Sequence, residues 1–224
     1  IEDAPTPSSR VLLARVLRWI RHNHDLGLTY TKSGSFRLDV WVDASHGQEI
    51  HHTATGACKS RSGGFIKANG AVVAAFSSAQ STTALSTFEA ELYALTQAVR
   101  MLLALRRLVN FLVGCELETS MVYCDNTSVI AQLRKRDLSA RSRHIRVHIG
   151  FLVDAIESGE ILVEHVRSER NPANALTAAE DVDRTARSID AMSGRPPEGP
   201  ELREANGVAD ADARGAGTTV NSST

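Results

Sequence analysis

The chain has 224 residues, 42% of them hydrophobic, with 25 basic and 26 acidic side chains and a formal net charge of −1. That is enough for one domain of ordinary size with some chain to spare, and no apolar run reaches the ~18 uninterrupted residues that would span a bilayer, so a soluble protein without a membrane partner is expected. Three cysteines, Cys58, Cys115 and Cys124, lack CxxC spacing and argue against a disulfide scaffold and a structural zinc site.

The first residues, IEDAPTPSSR, carry no basic start followed by an apolar block, which speaks against a secretory signal; the start on Ile suggests a fragment of a longer chain. An amphipathic helix is expected from about Ser9 to His24, with Val11, Leu12, Val16, Leu17 and Ile20 on one face. FRLDVWVDAS alternates as a strand does, and SGGFIKANGAVVAAFSS reads as two strands joined by a tight turn at Asn69-Gly70. Ser86, three residues before Glu89, makes a capping box that should open a long helix reaching about Val113. MVYCD is a short strand, NTSVIAQLR and about Arg143 to Ser158 are helical, ILVEHV is a last strand, and Asn171-Pro172 opens a final short helix. The order βββαβααβα predicts a mixed five-stranded α/β sheet with flanking helices. Residues 1–35 read as a connecting helix and linker, 36–180 as the domain, and 181–224 as a disordered tail of turn formers and small polar residues.

The long helix raises a question of charge. Glu91 shares a helical stripe with Ala94, Leu95, Ala98 and Leu102, so its carboxylate faces the expected core, where an unpaired charge neutralises, pairs or binds a metal. Asp43 ends the strand VWVDAS and Asp125 ends MVYCDN. If those strands are neighbours and the helix crosses them, the three carboxylates converge. Hard oxygen donors of like charge suit Mg²⁺, and the chemistry implied is two-metal phosphodiester hydrolysis. Singly, Asp125 is equally well a helix cap, Asp43 a turn residue, and Glu91 the partner of a basic neighbour such as Arg100; the three in order on strand, helix and strand carry the stronger signal.

WVDAS, KSRSGG, ALSTFEAELYAL, VYCDNTSVI, RSRHI and NPANALTA, in this order, resemble the successive motifs of the ribonuclease H domain that follows reverse transcriptase in the pol polyprotein of copia-type retrotransposons. LRWIRHNHDLGLTY resembles the segment joining the two domains, and the resemblance covers about residues 11 to 180. It implies a ribonuclease H-like fold, endonucleolytic cleavage of the RNA strand of an RNA–DNA hybrid to leave 5′-phosphate and 3′-hydroxyl ends, and two Mg²⁺ ions, with Mn²⁺ able to substitute. It also implies an upstream reverse transcriptase domain as partner, and a cytoplasmic replication particle with a nuclear phase as the location. Carried over by position, Asp43, Glu91 and Asp125 are metal ligands, while Ser45, Gln80 and Asn126 lie near substrate. His144, in RSRHI, is placed to help product leave or to shuttle a proton. Glu89, off the face of Glu91, is assigned to capping.

The strongly basic run 134–148 fits phosphate contact through Arg134, Lys135, Arg136, Arg141, Arg143 and Arg146, although a solvated basic face is the plain alternative. One position departs from the family: Asn174 stands where the final helix normally supplies a fourth acid. An amide oxygen can ligate Mg²⁺ but brings no charge, so weaker binding of the second ion is expected. Glu180 and Asp181, six and seven residues further along, read as too far down that helix to substitute. The competing reading is thus a decayed ribonuclease H-like module that binds hybrid or a partner without cutting. An integrase-type recombinase is disfavoured because Glu91 lies between the two aspartates rather than after them, and SGG is not the GxGxxG turn of a dinucleotide site.

Overall fold

The structure, a computed structural model, describes residues 7–32, 36–50, 58–114, 116–136 and 143–194. In chain order the elements are α1 (Pro7–His22), β1 (Leu38–Ile50), β2 (Cys58–Ala68), β3 (Ala71–Ala79), α2 (Thr87–Val113), β4 (Ser120–Cys124), α3 (Thr127–Lys135), α4 (Arg143–Glu157) and β5 (Ile161–His165), then two 3-10 turns, Ser168–Arg170 and Pro172–Leu176, and α5 (Val182–Ser193).

The five strands form one sheet in the order β3-β2-β1-β4-β5, the ribonuclease H-like arrangement expected from the sequence. β1, β2 and β3 are an antiparallel meander, whereas β4 joins β1 in parallel and β5 joins β4 in parallel. The β2–β3 turn has φ of 45° at Asn69 and 105° at Gly70, which is why Asn-Gly occupies it. α2 begins as its capping box predicts: the Ser86 side chain accepts from the Glu89 N–H, and Glu89 Oε2 accepts from the Leu85 N–H at 2.7 Å. It ends at Gly114, whose φ of 73° suits a residue without Cβ. Its stripe of Leu92, Leu95, Val99 and Leu102 is fully buried with Val40, Val42 and Ile66 of the sheet, and Ile149 and Leu152 of α4 join the same core.

The end of the chain differs from the expected short helix and tail. The helix expected at Pro172 is a 3-10 turn that stops at Leu176, and a separate helix follows, capped by Asp181. The folded part therefore runs beyond residue 180: α5 packs beside β3, buries Ser188 and Ser193, and receives the Thr29 N–H on the Ser193 carbonyl at 2.7 Å. At Gly194 an added Cβ would lie 2.2 Å from the Thr29 carbonyl oxygen. The expected tail beyond residue 194 lies outside the described residues. Residues 29–31 are also stitched to the meander, with the Thr31 N–H on the Asn69 carbonyl and the Tyr30 hydroxyl on the Val72 carbonyl. The expected linker helix α1 buries none of its residues, and Val11, Leu12, Val16, Leu17 and Ile20 are exposed.

Candidate active site

Strand register brings the two aspartates together. In the parallel pair β1/β4, Trp41 lies opposite Tyr123. Asp43 is two residues beyond Trp41 and Asp125 two beyond Tyr123, which sets them side by side. Asp125 follows the end of β4, but Asp43, expected to end its strand, lies inside β1, which pairs with β2 as far as Ile50. α2 packs over β1 and β2 and supplies Glu91 in its first turns, where the side chain is 4% exposed. Ligand atoms of Glu91, Asp125 and Cys124 all lie within 4.8 Å of one another.

Glu91 Oε2 is buried without a hydrogen-bond partner among the described residues. Burial, and then the negative charges of Asp43 and Asp125, push the Glu91 carboxyl up to about 9, with the Ala44 N–H opposing. Asp43 rises to about 6, chiefly through burial; its hydrogen bond from Thr177 and the Ala44 N–H lower it, and Asp125 and Glu180 raise it. Cys124 is pushed well above the ordinary thiol range by burial and then by Glu91, so it stands here as an apolar thiol. The oxygen donors, rather than this sulfur, are the ones suited to a hard divalent cation.

The segment 168–181 closes one side. Asn171, 3% exposed, donates from Nδ2 to the Val42 carbonyl at 2.9 Å and accepts the Ala173 N–H on Oδ1, which ties the 3-10 turn to β1 beside Asp43. Thr177 then donates its hydroxyl to Asp43 Oδ2. This approach needs a glycine beneath it. Gly63 pairs with Asp43 across β1/β2, and a Cβ there would lie 2.6 Å from Thr177 Cγ2 and 2.8 Å from Leu176 Cβ. A cleft results, lined by Asp43, Ser45, Asn174, Thr177, Glu180 and Arg184 among others. Asn174 donates from Nδ2 to the Ser168 carbonyl at 2.8 Å, while its Oδ1 is buried without a partner among the described residues.

Asp43, Glu91 and Asp125 are thus brought together, and Ser45 and Asn174 share the cleft with Asp43. Other expected site residues have structural partners or lie on the exposed helix ends. Gln80 is buried and donates from Nε2 to Ser62 Oγ and the Ala90 carbonyl, bracing the end of β3 against α2, while its Oε1 is without a partner among the described residues. Asn126 caps α3, its Oδ1 accepting the Ser128 and Val129 N–H groups. His144 is exposed in the first turn of α4, near the exposed Arg143 and Arg146. Arg134, Lys135 and Arg136 are exposed at the end of α3, where Arg136 pairs with Glu157 at 3.1 Å; Arg141 lies outside the described residues. Sequence reasoning missed Gly63, Asn171 and Thr177, although all three stand within motifs it singled out. It also misplaced Glu180 and Asp181: the 3-10 turn ends at Leu176, and both residues line the cleft that a continuous helix would have carried them past.

No family model matches the chain. It is 30% identical over 162 residues to the retrovirus-related Pol polyprotein from transposon TNT 1-94 of Nicotiana tabacum, an alignment covering 72% of this chain and 12% of that protein. It is 33% identical over 96 residues to the secreted RxLR effector protein 161 of Plasmopara viticola, covering 43% of this chain and 64% of that one. The chain therefore spans only an eighth of the first relative and under two thirds of the second. Among solved structures, the LC11-RNase H1 isolated from compost superposes with a TM-score of 0.46 at 16% identity, over 63% of this chain and 92% of that one. Over most of its length the chain is similar to part of a retrotransposon Pol polyprotein, and its mixed five-stranded sheet with flanking helices has the ribonuclease H-like fold.

Proposed function

We propose that this domain hydrolyses the RNA strand of RNA–DNA hybrids, with two divalent cations held by Asp43, Glu91 and Asp125. The observation that carries the reading is the convergence of three carboxylates from two adjacent parallel strands and a buried helix face, one of them with an orphaned oxygen. Mg²⁺ fits the donor set, and Mn²⁺ would serve in its place. When bound, such ions supply an activated water and charge stabilisation at the phosphate. The protein's own part is to hold the ligands still: Thr177 fixes one oxygen of Asp43, Asn171 fixes the segment that carries Thr177, and Ala44 directs its N–H at the carboxylates. Arg134, Lys135, Arg143 and Arg146 offer cations to phosphates. The upstream partner on this reading is a reverse transcriptase domain of a copia-type polyprotein, working in a cytoplasmic particle.

Cleavage of a labelled hybrid in Mg²⁺ and Mn²⁺ by the chain and by its Asp125→Asn variant tests this. Cutting by the parent and a loss of about a hundredfold or more in the variant is expected, since the site acts as a unit; undiminished cutting by the variant overturns the assigned site. The second reading, a hybrid-binding module without turnover, is favoured by one observation, the neutral Asn174 in the cleft. Salt-dependent hybrid binding by a parent chain that cuts in neither metal would establish it.

A further inference from the structure

The carboxylates around the site form two groups. Ligand atoms of Glu91 and Asp125 lie within 4.8 Å of each other, whereas Asp43 also lines the cleft together with Glu180, whose charge acts on it. Glu180 arrives there because Thr177–Asp181 are non-helical: the 3-10 turn ends at Leu176 and α5 takes Asp181 as its cap. Had the helix run on, six residues at ~1.5 Å each would have put Glu180 about 9 Å from Asn174 along the axis and on another face.

Glu180 is half-buried, and its Oε2 accepts from Ser188 Oγ at 3.3 Å, which ties the side chain to α5. A second feature of the same cleft points to a ligand. Ser45 is 7% exposed and lines the cleft beside Asp43, yet its Oγ has no hydrogen-bond partner among the described residues. The Asn174 Oδ1 in the same lining is likewise unmatched. These two unmatched neutral oxygens and the Asp43 and Glu180 carboxylates form a hard-donor set for a cation carrying several waters, in a lining that also holds Asp181, which caps α5, and Arg184.

We propose that Glu180 is a ligand, directly or through a bound water, of the divalent cation on the Asp43 side of the site, and that Asn174 and Ser45 complete its oxygen surroundings. The inference rests on the proposed cation-dependent hydrolase reading but concerns a residue that the motifs do not assign.

Mn²⁺ binding to the metal-free chain, followed by titration calorimetry and by the loss of free Mn²⁺ paramagnetic resonance signal, tests it without reference to turnover. The parent should bind two ions. Glu180→Gln should weaken the weaker of the two by about tenfold or more, as expected when a carboxylate leaves a hard-cation site, while the tighter one is kept. Ser188→Ala, which removes only the tether to α5, should leave both ions bound. Adding Asn174→Asp to Glu180→Gln should restore the lost affinity, a rescue that a misfolded variant could not give. Two ions bound equally well by the parent and by Glu180→Gln overturns the proposal. If Asp43→Asn abolishes an ion and Glu180→Gln does not, this inference fails and the hydrolase reading stands. If the parent binds no Mn²⁺ at all, both fail.

Discussion

Glu91 shows what one residue can demand of a fold. A carboxylate 4% exposed, with one oxygen unmatched and Asp43, Asp125 and the Cys124 thiol facing it, holds its proton to about 9 when no cation is present. Asp43, buried and then faced by Asp125 and Glu180, holds its proton to about 6. Both folded values lie above the ordinary 3.8 and 4.5, so the folded chain binds more protons than the unfolded one over this range. Stability from these groups is fully present below about pH 4 and is lost as pH rises through 6 and on toward 9. The metal-free protein should therefore melt lower at about pH 8 than at about pH 5, and Mg²⁺ should raise the melting temperature more at the higher pH. Glu91→Gln should raise the metal-free Tm at about pH 8 by roughly 3 °C or more, the scale of ~1 kcal/mol in a domain of this size, while abolishing the Mg²⁺ response. A parent whose metal-free Tm is flat between these pH values would show that the carboxylates are not buried together.

At the scale of elements, the site depends on how closely the segment 172–177 lies on the meander. Gly63 is the residue that permits it, being opposite Asp43 in register and beneath Thr177 and Leu176. Gly63→Ala should cost about 1–3 kcal/mol by overpacking, which lowers Tm by roughly 3–10 °C. It should also reduce hybrid cleavage, because Thr177 is pushed off Asp43. Gly150, in the middle of α4, is the matched control: an added Cβ there meets nothing within 4 Å. Gly150→Ala should instead stabilise by ~0.5–1 kcal/mol through helix propensity. Thermal melts of the two variants settle the point, and equal effects would show that the segment yields freely.

Over the whole molecule, the near-zero net charge conceals an arrangement in which the acidic cleft and the basic helix ends are separate features. Arg143 and Arg146 are exposed on α4 and Arg134 and Lys135 on α3, while Arg136 is engaged with Glu157. If these cations meet phosphates, each contributes ~0.7–0.9 to the slope of log binding constant against log salt. Replacing Arg143 and Arg146 with Ala should lower the magnitude of that slope for hybrid by about 1.5 and raise KM with little change in kcat. An unchanged slope would assign the basic run to solvent. α1 adds Arg10, Arg15, Arg18 and Arg21 to the exposed cations, beside its exposed apolar residues.

The alternation around Val40, the Ser86 capping box and the Asn69-Gly70 turn are local signals, so the meander, the long helix and the stripe bearing Glu91 could be read from the sequence directly. The order of Asp43, Glu91 and Asp125 could be read too, because a buried acid on an apolar stripe calls for partners. Which residues serve those carboxylates could not. That Gly63 lies under Thr177, that Asn171 reaches the Val42 carbonyl and that Gln80 turns inward are outcomes of pairing between segments far apart in the chain, which no local pattern encodes. The end of the chain is the clearest case. NPANALTAAE reads as one short helix, yet packing of residues 172–177 on β1 and β2 and the Asp181 cap of α5 stop it at Leu176 and bring Glu180 back to the cleft. Sequence fixes local conformation and burial pattern, whereas the meeting of Asp43 with Thr177 and Glu180 arises only when the closing segment docks on the sheet.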